Sequence, residues 1–228
     1  MGLLSTLHQN LEVVLDLVFP PPKPWAEFRR IEGNLCHRCG YPFEAPQNIQ
    51  IQKCSNCSDL TWYLDRAFSC YWMEGDPRKS VLEFKYHRQF YWRRRLGEAL
   101  FEGFKTIYRP DKFEALVPVP LHFSKQRDRG FNQAEELALV LSPKVQLPVW
   151  NCLKRKRETL SQVSQDREKR LKNPQGSFEM TTRFDVRGRS LLIIDDVLTT
   201  GTTANECARV LREAGARSVA VLTVARGV

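Results

Sequence analysis

Residues 191–203 read LLIIDDVLTTGTT. The apolar run from Leu191 to Ile194 is what a strand buried on both faces of a parallel sheet requires. A strand is therefore expected over 190–195, closing on two adjacent charges, Asp195 and Asp196. Thr199, Thr200, Gly201, Thr202 and Thr203 follow, and a helix is expected to open near 202. Strand, turn and helix in that order place 195–203 at the carboxyl edge of a sheet, where open α/β sheets bind ligands. The first N–H groups of a helix have no helical partner. With the threonine hydroxyls and the helix dipole they favour a phosphate. Gly201 lets the backbone curl close to it. No lysine follows Gly201, so the stretch is not the nucleotide loop Gly-x-x-x-x-Gly-Lys-Ser/Thr, which speaks against ATP or GTP hydrolysis. The acid pair, one short turn away, can accept hydrogen bonds from vicinal hydroxyls or hold Mg²⁺ that bridges them. A ribose carrying a 5-phosphate satisfies both halves. The competing reading is that the aspartates cap the next helix and the threonines are ordinary loop residues.

Working outward, a strand is expected at 113–120 and another at 218–225. Helices are expected near 90–107, 131–142 and 202–214. Short β runs alternating with helices make an α/β domain with a mostly parallel sheet and flanking helices. At the other end, Leu3, Leu7, Leu11, Val14, Leu15 and Val18 have helical spacing, and the prolines of FPPPKP must stop that helix. Residues 151–176 are charged and poor in apolar side chains, and read as a long mobile segment or an exposed hairpin. A long loop within a compact domain is usually functional. The expected division is 1–33 for an amphipathic helix and proline-rich connector, 34–63 for a cysteine module, and 64–228 for the α/β domain.

The chain has 228 residues, 42% of them hydrophobic, enough for a real core. Its formal charge of +9 points to an anionic partner, or simply to solubility. No run reaches the roughly 18 apolar residues of a membrane helix, and the N-terminus lacks a secretory pattern. Both support a cytoplasmic location, with a place at the inner face of the membrane left open.

Seven cysteines are present, four of them in CHRC (36–39) and CSNC (54–57), fourteen residues apart. Cys36, Cys39, Cys54 and Cys57 on two tight knuckles would make a closed tetrahedral site. Zinc is favoured, with iron left open. A segment with so little core needs such a staple. Cys70, Cys152 and Cys207 are scattered and read as structural.

The stretch IIDDVLTTGTT resembles the phosphoribosyl-pyrophosphate (PRPP) motif of type I phosphoribosyltransferases. The resemblance implies Asp195 and Asp196 as catalytic residues at the ribose hydroxyls, and Thr199, Thr200, Gly201, Thr202 and Thr203 at the 5-phosphate. The order of LDLVFPP, a four-cysteine knuckle and then this domain resembles the ComF (competence protein F) family, related to GntX and amidophosphoribosyltransferase-type proteins. FKYHRQ (84–89), VPVPLHFSKQRDRGFNQAEELA (117–138) and RETLSQVSQDREKRLKNPQGSF (157–178) carry the same resemblance, which spans nearly the whole chain.

The resemblance implies a pyrophosphate-contacting turn at 120–124, with Lys125, Arg127 and Arg129 after it. It also implies a mobile loop within 151–176 whose base carries Lys154, Arg155, Lys156 and Arg157. Structural zinc, Mg²⁺ with PRPP, and a role in natural transformation, the uptake of single-stranded DNA, are the corresponding expectations. The partners implied are PRPP or another phosphorylated ribose, single-stranded DNA, and a helicase-like competence protein. The alternative is an active phosphoribosyltransferase in nucleotide metabolism or salvage, its acceptor unspecified. YWRRRL and KRKR would suit single-stranded bases and phosphates; the competing reading puts Tyr91 and Trp92 in the core beside a solvated charged face. No helix-turn-helix pattern supports a DNA-binding regulator.

Overall fold

The computed structural model describes residues 30–43, 54, 57, 61–86, 91–107, 113–156 and 176–227. The helix expected at 3–18 lies outside the described residues. The elements in order are β1 (Arg66–Trp72), α1 (Gly75–Tyr86), α2 (Tyr91–Ile107), β2 (Ala115–Pro118), α3 (Phe123–Arg129) and α4 (Gln133–Val145). Then come β3 (Leu153–Arg155), β4 (Phe178–Met180), β5 (Ser190–Leu198), α5 (Thr202–Glu213) and β6 (Ser218–Arg226).

The main sheet has the order β1-β6-β5-β2, and every pairing in it is parallel. β5 is an inner strand, and successive side chains leave it on opposite faces. Leu192 and Ile194 enter a core made with Val81 and Phe84 of α1, Leu96 and Leu100 of α2, and Leu137 and Leu141 of α4. Leu191 and Ile193 enter the opposite core with Ala204, Cys207, Ala208 and Leu211 of α5. All four β5 side chains are fully buried, each contributing roughly 1.5–3 kcal/mol of transfer free energy. Helices therefore cover both faces, as the unbroken apolar run requires.

Two differences from the sequence expectation bear on the site. β5 does not stop at Asp195: its ladder with β6 continues through Asp195↔Thr223, Val197↔Ala225 and Leu198↔Arg226. The reason is β6, which stays buried through Arg226 and offers a pairing edge beyond the acids. β2 ends instead, with Pro118 opposite Ile194. A crevice opens between β5 and the diverging chain after β2, and the acid pair lies beside it. α4 likewise runs past Pro143 to Val145 rather than ending near 142, because Val145 is buried in the first core.

Part of the segment 151–176 is a hairpin base. β3 and β4 pair antiparallel, Leu153↔Met180 and Arg155↔Phe178, and Lys156 N–H donates to the Ser177 carbonyl at 2.8 Å. Residues 157–175, Arg157 among them, lie outside the described residues. Tyr91 and Trp92 hydrogen-bond to Glu83 at 3.1 and 2.8 Å, and Trp92 is buried in the first core. Arg93 pairs with Glu136 and Arg94 with Glu98. The aromatics of YWRRRL thus belong to the packing of α2.

Candidate functional site

A cavity of about 350 Å³ opens at the carboxyl edge of β5. Asp195 and Asp196 line it, with Thr199, Gly201, Thr202 and Thr203 on the loop that follows. The loop shape comes from Gly201, at φ +79°, which serves as the N-cap of α5 and provides no side-chain cap. The Thr202 N–H has the Thr200 hydroxyl at 3.5 Å, and the N–H groups after it at the start of this twelve-residue helix are left for a ligand or water. Thr200, expected with the other loop residues, does not line the cavity, and its hydroxyl lies 2.5 Å from that of Thr202. A Cβ at Gly201 would come within 2.6 Å of the Trp62 ring, so the residue is held to glycine by backbone and by packing.

The two acids differ in surroundings. Asp196 is buried, and its Oδ1 lies 3.0 Å from Lys85 Nζ at the end of α1. Asp195 is half-buried, and its Oδ1 accepts the Asp196 backbone N–H at 2.9 Å. Burial, and then the Asp196 charge, push the Asp195 carboxyl up to about 7, against the pull of Lys85, that N–H group and Arg155. Arg155 enters the cavity wall from β3. Burial lowers the pKa of its own guanidinium, while Cys207 and Asp195 oppose the shift.

Lys125 and Arg129 also line the cavity, on α3 after the turn at 120–124. Arg127, expected with them, is exposed on that helix and does not line it. The structure therefore gathers the acid pair, the threonine loop, Lys125 and Arg129. It adds Lys85 and Gln133, which the sequence reading left without a role, and from the loop base that carries Lys154, Arg155, Lys156 and Arg157 it brings Arg155 to the cavity. Gln133 is 2% exposed, and its amide nitrogen has no hydrogen-bond partner among the described residues. Arg155 had a signal: in CLKRKR, period-two alternation puts it on the face of buried Leu153. Lys154 and Lys156 point the other way, both pairing with Glu179.

The four sulfurs of Cys36, Cys39, Cys54 and Cys57 lie within 4.8 Å of one another, all buried. Three of the pairs are 3.7, 3.4 and 3.8 Å apart. A tetrahedron with metal–sulfur bonds near 2.3 Å has edges of about 3.8 Å, so the set fits a metal such as zinc. Burial resists ionisation of Cys39 and Cys57. Cys57 is pushed up to about 11, whereas backbone N–H groups of Cys39, Arg38 and Cys54 outweigh burial and bring Cys36 down to about 7. The cluster is joined to the sheet. Ala67 N–H donates to the Arg38 carbonyl, and Arg226 donates to the Cys39 carbonyl at 2.6 Å. Gly40 approaches so closely that a Cβ would run into the Ala67 carbonyl. Trp62 packs against both the cysteines and Gly201.

A family model of the phosphoribosyl transferase domain matches residues 127–227, which include the acid pair and the threonine loop. Competence protein F of Haemophilus influenzae is 30% identical over 214 residues, covering 86% of this chain and 91% of that protein. The chain belongs to the competence protein F family. Competence protein ComFC of Bacillus subtilis is 27% identical over 211 residues, 88% of this chain and 81% of that protein. The DNA utilization protein YhgH of Escherichia coli K12 is 34% identical over 119 residues, about half of each chain (51% and 50%). The fold is type I phosphoribosyltransferase-like, with a four-cysteine cluster ahead of it. Among the described residues no helix is long and apolar enough to cross a membrane.

Proposed function

We propose that the chain binds a 5-phosphorylated ribose, PRPP with Mg²⁺, and serves natural transformation by handling incoming single-stranded DNA in the cytoplasm. The observation that carries the ligand is the single cavity lined by Asp195, Asp196, the threonine loop and the cations Lys85, Lys125, Arg129 and Arg155. The phosphate would lie on the uncapped start of α5, the ribose hydroxyls against the acids, and the pyrophosphate toward Lys125 and Arg129. Zinc is the proposed occupant of the cysteine site. The transformation role is drawn from the names of the competence and DNA-utilization relatives, and single-stranded DNA and a helicase-like protein are its proposed partners.

A second reading is an active transferase. Asp195, with its carboxyl near 7, is suited to exchange a proton with an acceptor. Departure of pyrophosphate from C1 would leave an oxocarbenium-like centre, stabilised by the nearby carboxylates while Lys125 and Arg129 hold the leaving group. Mg²⁺ carried in with PRPP supplies further charge neutralisation on that group.

The test is the double variant D195N/D196N. It should keep the wild-type circular dichroism spectrum and lose PRPP binding in calorimetry. Undiminished binding by the variant removes the acid pair from the site and defeats the proposal.

A further inference from the structure

We infer that Lys85 takes, on the acid pair, the place a divalent cation would occupy, so that the ribose-phosphate half of the ligand is held without metal. The inference rests on the sugar-phosphate reading above and goes on to say how that site meets its charge. α1 is pinned by Val81 and Phe84, both fully buried in the first core. The residue after Phe84 is therefore delivered to the edge of the sheet with little freedom. Its ammonium lies 3.0 Å from Asp196 Oδ1, with the Lys85 side chain 20% exposed and that of Asp196 8%. A charge-assisted bond in so closed a place is strong and directional.

Charge arithmetic then decides between lysine and metal. Two neighbouring carboxylates left alone would carry two negative charges and invite Mg²⁺. Here the ammonium of Lys85 and the guanidinium of Arg155 line the same cavity, and both act on Asp195. The pair is already close to neutral. Mg²⁺ demands near-octahedral oxygen ligands, yet one Asp196 oxygen is held by Lys85 and one Asp195 oxygen by a backbone N–H. A metal taking the same Asp196 oxygen would have to displace the lysine. A diol need not, because its hydroxyls only require carboxylate lone pairs still open to the cavity, and Asp195 is the acid that keeps exposure there. Lys85 is on this account a positioning residue: it fixes the Asp196 carboxylate in place and leaves Asp195 to receive the sugar. A need for Mg²⁺ would arise only with the pyrophosphate of PRPP.

The experiment uses the full chain with its cysteine site loaded and titrates ribose 5-phosphate by calorimetry, in magnesium-free buffer and in millimolar Mg²⁺. Wild type should give the same Kd in both buffers to within about twofold. K85M, which keeps the stem and removes the charge, should bind about tenfold or more weakly without Mg²⁺ and regain affinity when it is added. K85R should stay closer to wild type. Two results overturn the inference while leaving the sugar-phosphate reading standing: wild-type binding that requires Mg²⁺, or a K85M variant with wild-type affinity and no response to Mg²⁺. Absence of any binding of ribose 5-phosphate or PRPP to wild type would instead defeat the sugar-phosphate reading, and this inference with it. Should thermal melts show K85M to be poorly folded, the wild-type comparison and K85R decide the matter.

Discussion

Asp195 combines partial burial with a carboxylate neighbour, and its carboxyl is pushed up to about 7 from the ordinary 3.8. The sign of the consequence for stability follows from linkage. Between about pH 4 and pH 7 the folded chain holds a proton that the unfolded chain has released, so stability falls as pH rises through that window. D195N removes the cost. It should therefore be more stable than wild type at pH 8, by up to about 4 kcal/mol, and the gain should vanish below pH 4. Thermal melts across that range check it; a gain that grows toward low pH would contradict the assignment. Asp196, Lys85 and Arg155 are the charged neighbours whose balance sets the value. At this scale much was readable beforehand. LLIIDDVLTTGTT names the acids and the loop outright, and the structure brings them to one cavity. Lys85 and Gln133 were not assigned, and Arg155 was named only as one of four cations at the loop base, because their places depend on helix and strand ends that come together only in three dimensions.

The element that makes the loop is the junction of β5 and α5. Its shape depends on a positive φ at Gly201, closed over by Trp62. G201A should cost roughly 1–2 kcal/mol for the left-handed backbone alone and more from the ring. It should also weaken phosphate binding beyond what a simple loss of stability explains. Chemical denaturation together with a ribose 5-phosphate titration separates the two effects; unchanged affinity at a lowered midpoint would mean the loop does not hold phosphate. The hairpin is anchored in a comparable way. The buried carboxylate of Glu206 accepts the Gly176 N–H at 2.7 Å and pairs with Arg209. E206A should loosen the entry to β4 and speed hydrogen exchange at Ser177 and Phe178, and an unchanged rate would remove Glu206 as the anchor. The sequence placed β5, α2, α4, α5 and β6 well, since each has a full hydrophobic face. β3, β4 and α3 are three to seven residues long, too short for periodicity to register. The run of β5 past its acids is decided by the length of β6 rather than by β5 itself.

Over the whole molecule, the four-cysteine cluster is joined to the loop that borders the cavity. Trp62 packs against the cysteines and against Gly201, which lines the cavity. Asn205 of α5 also grips the linker between them, accepting the Tyr63 N–H at 2.7 Å and donating to the Thr61 carbonyl at 2.8 Å. Metal analysis should find one ion per chain. Stripping it with a chelator should lower the melting temperature and weaken ribose 5-phosphate binding together; loss of the metal with both unchanged would contradict the coupling. The four-thiol site was legible from spacing alone. Its docking on β1 and β6 was not, because Arg226 and Ala67 meet it from far along the chain, Ala67 against Gly40 of the first knuckle. The measurement that bears most directly on the central claim is a calorimetric titration of PRPP into the metal-loaded protein, with and without Mg²⁺. Saturable binding of one PRPP per chain, tightened by Mg²⁺, is the expected result. No saturable heat in either buffer would contradict the account and turn attention to single-stranded DNA as the ligand of this cavity.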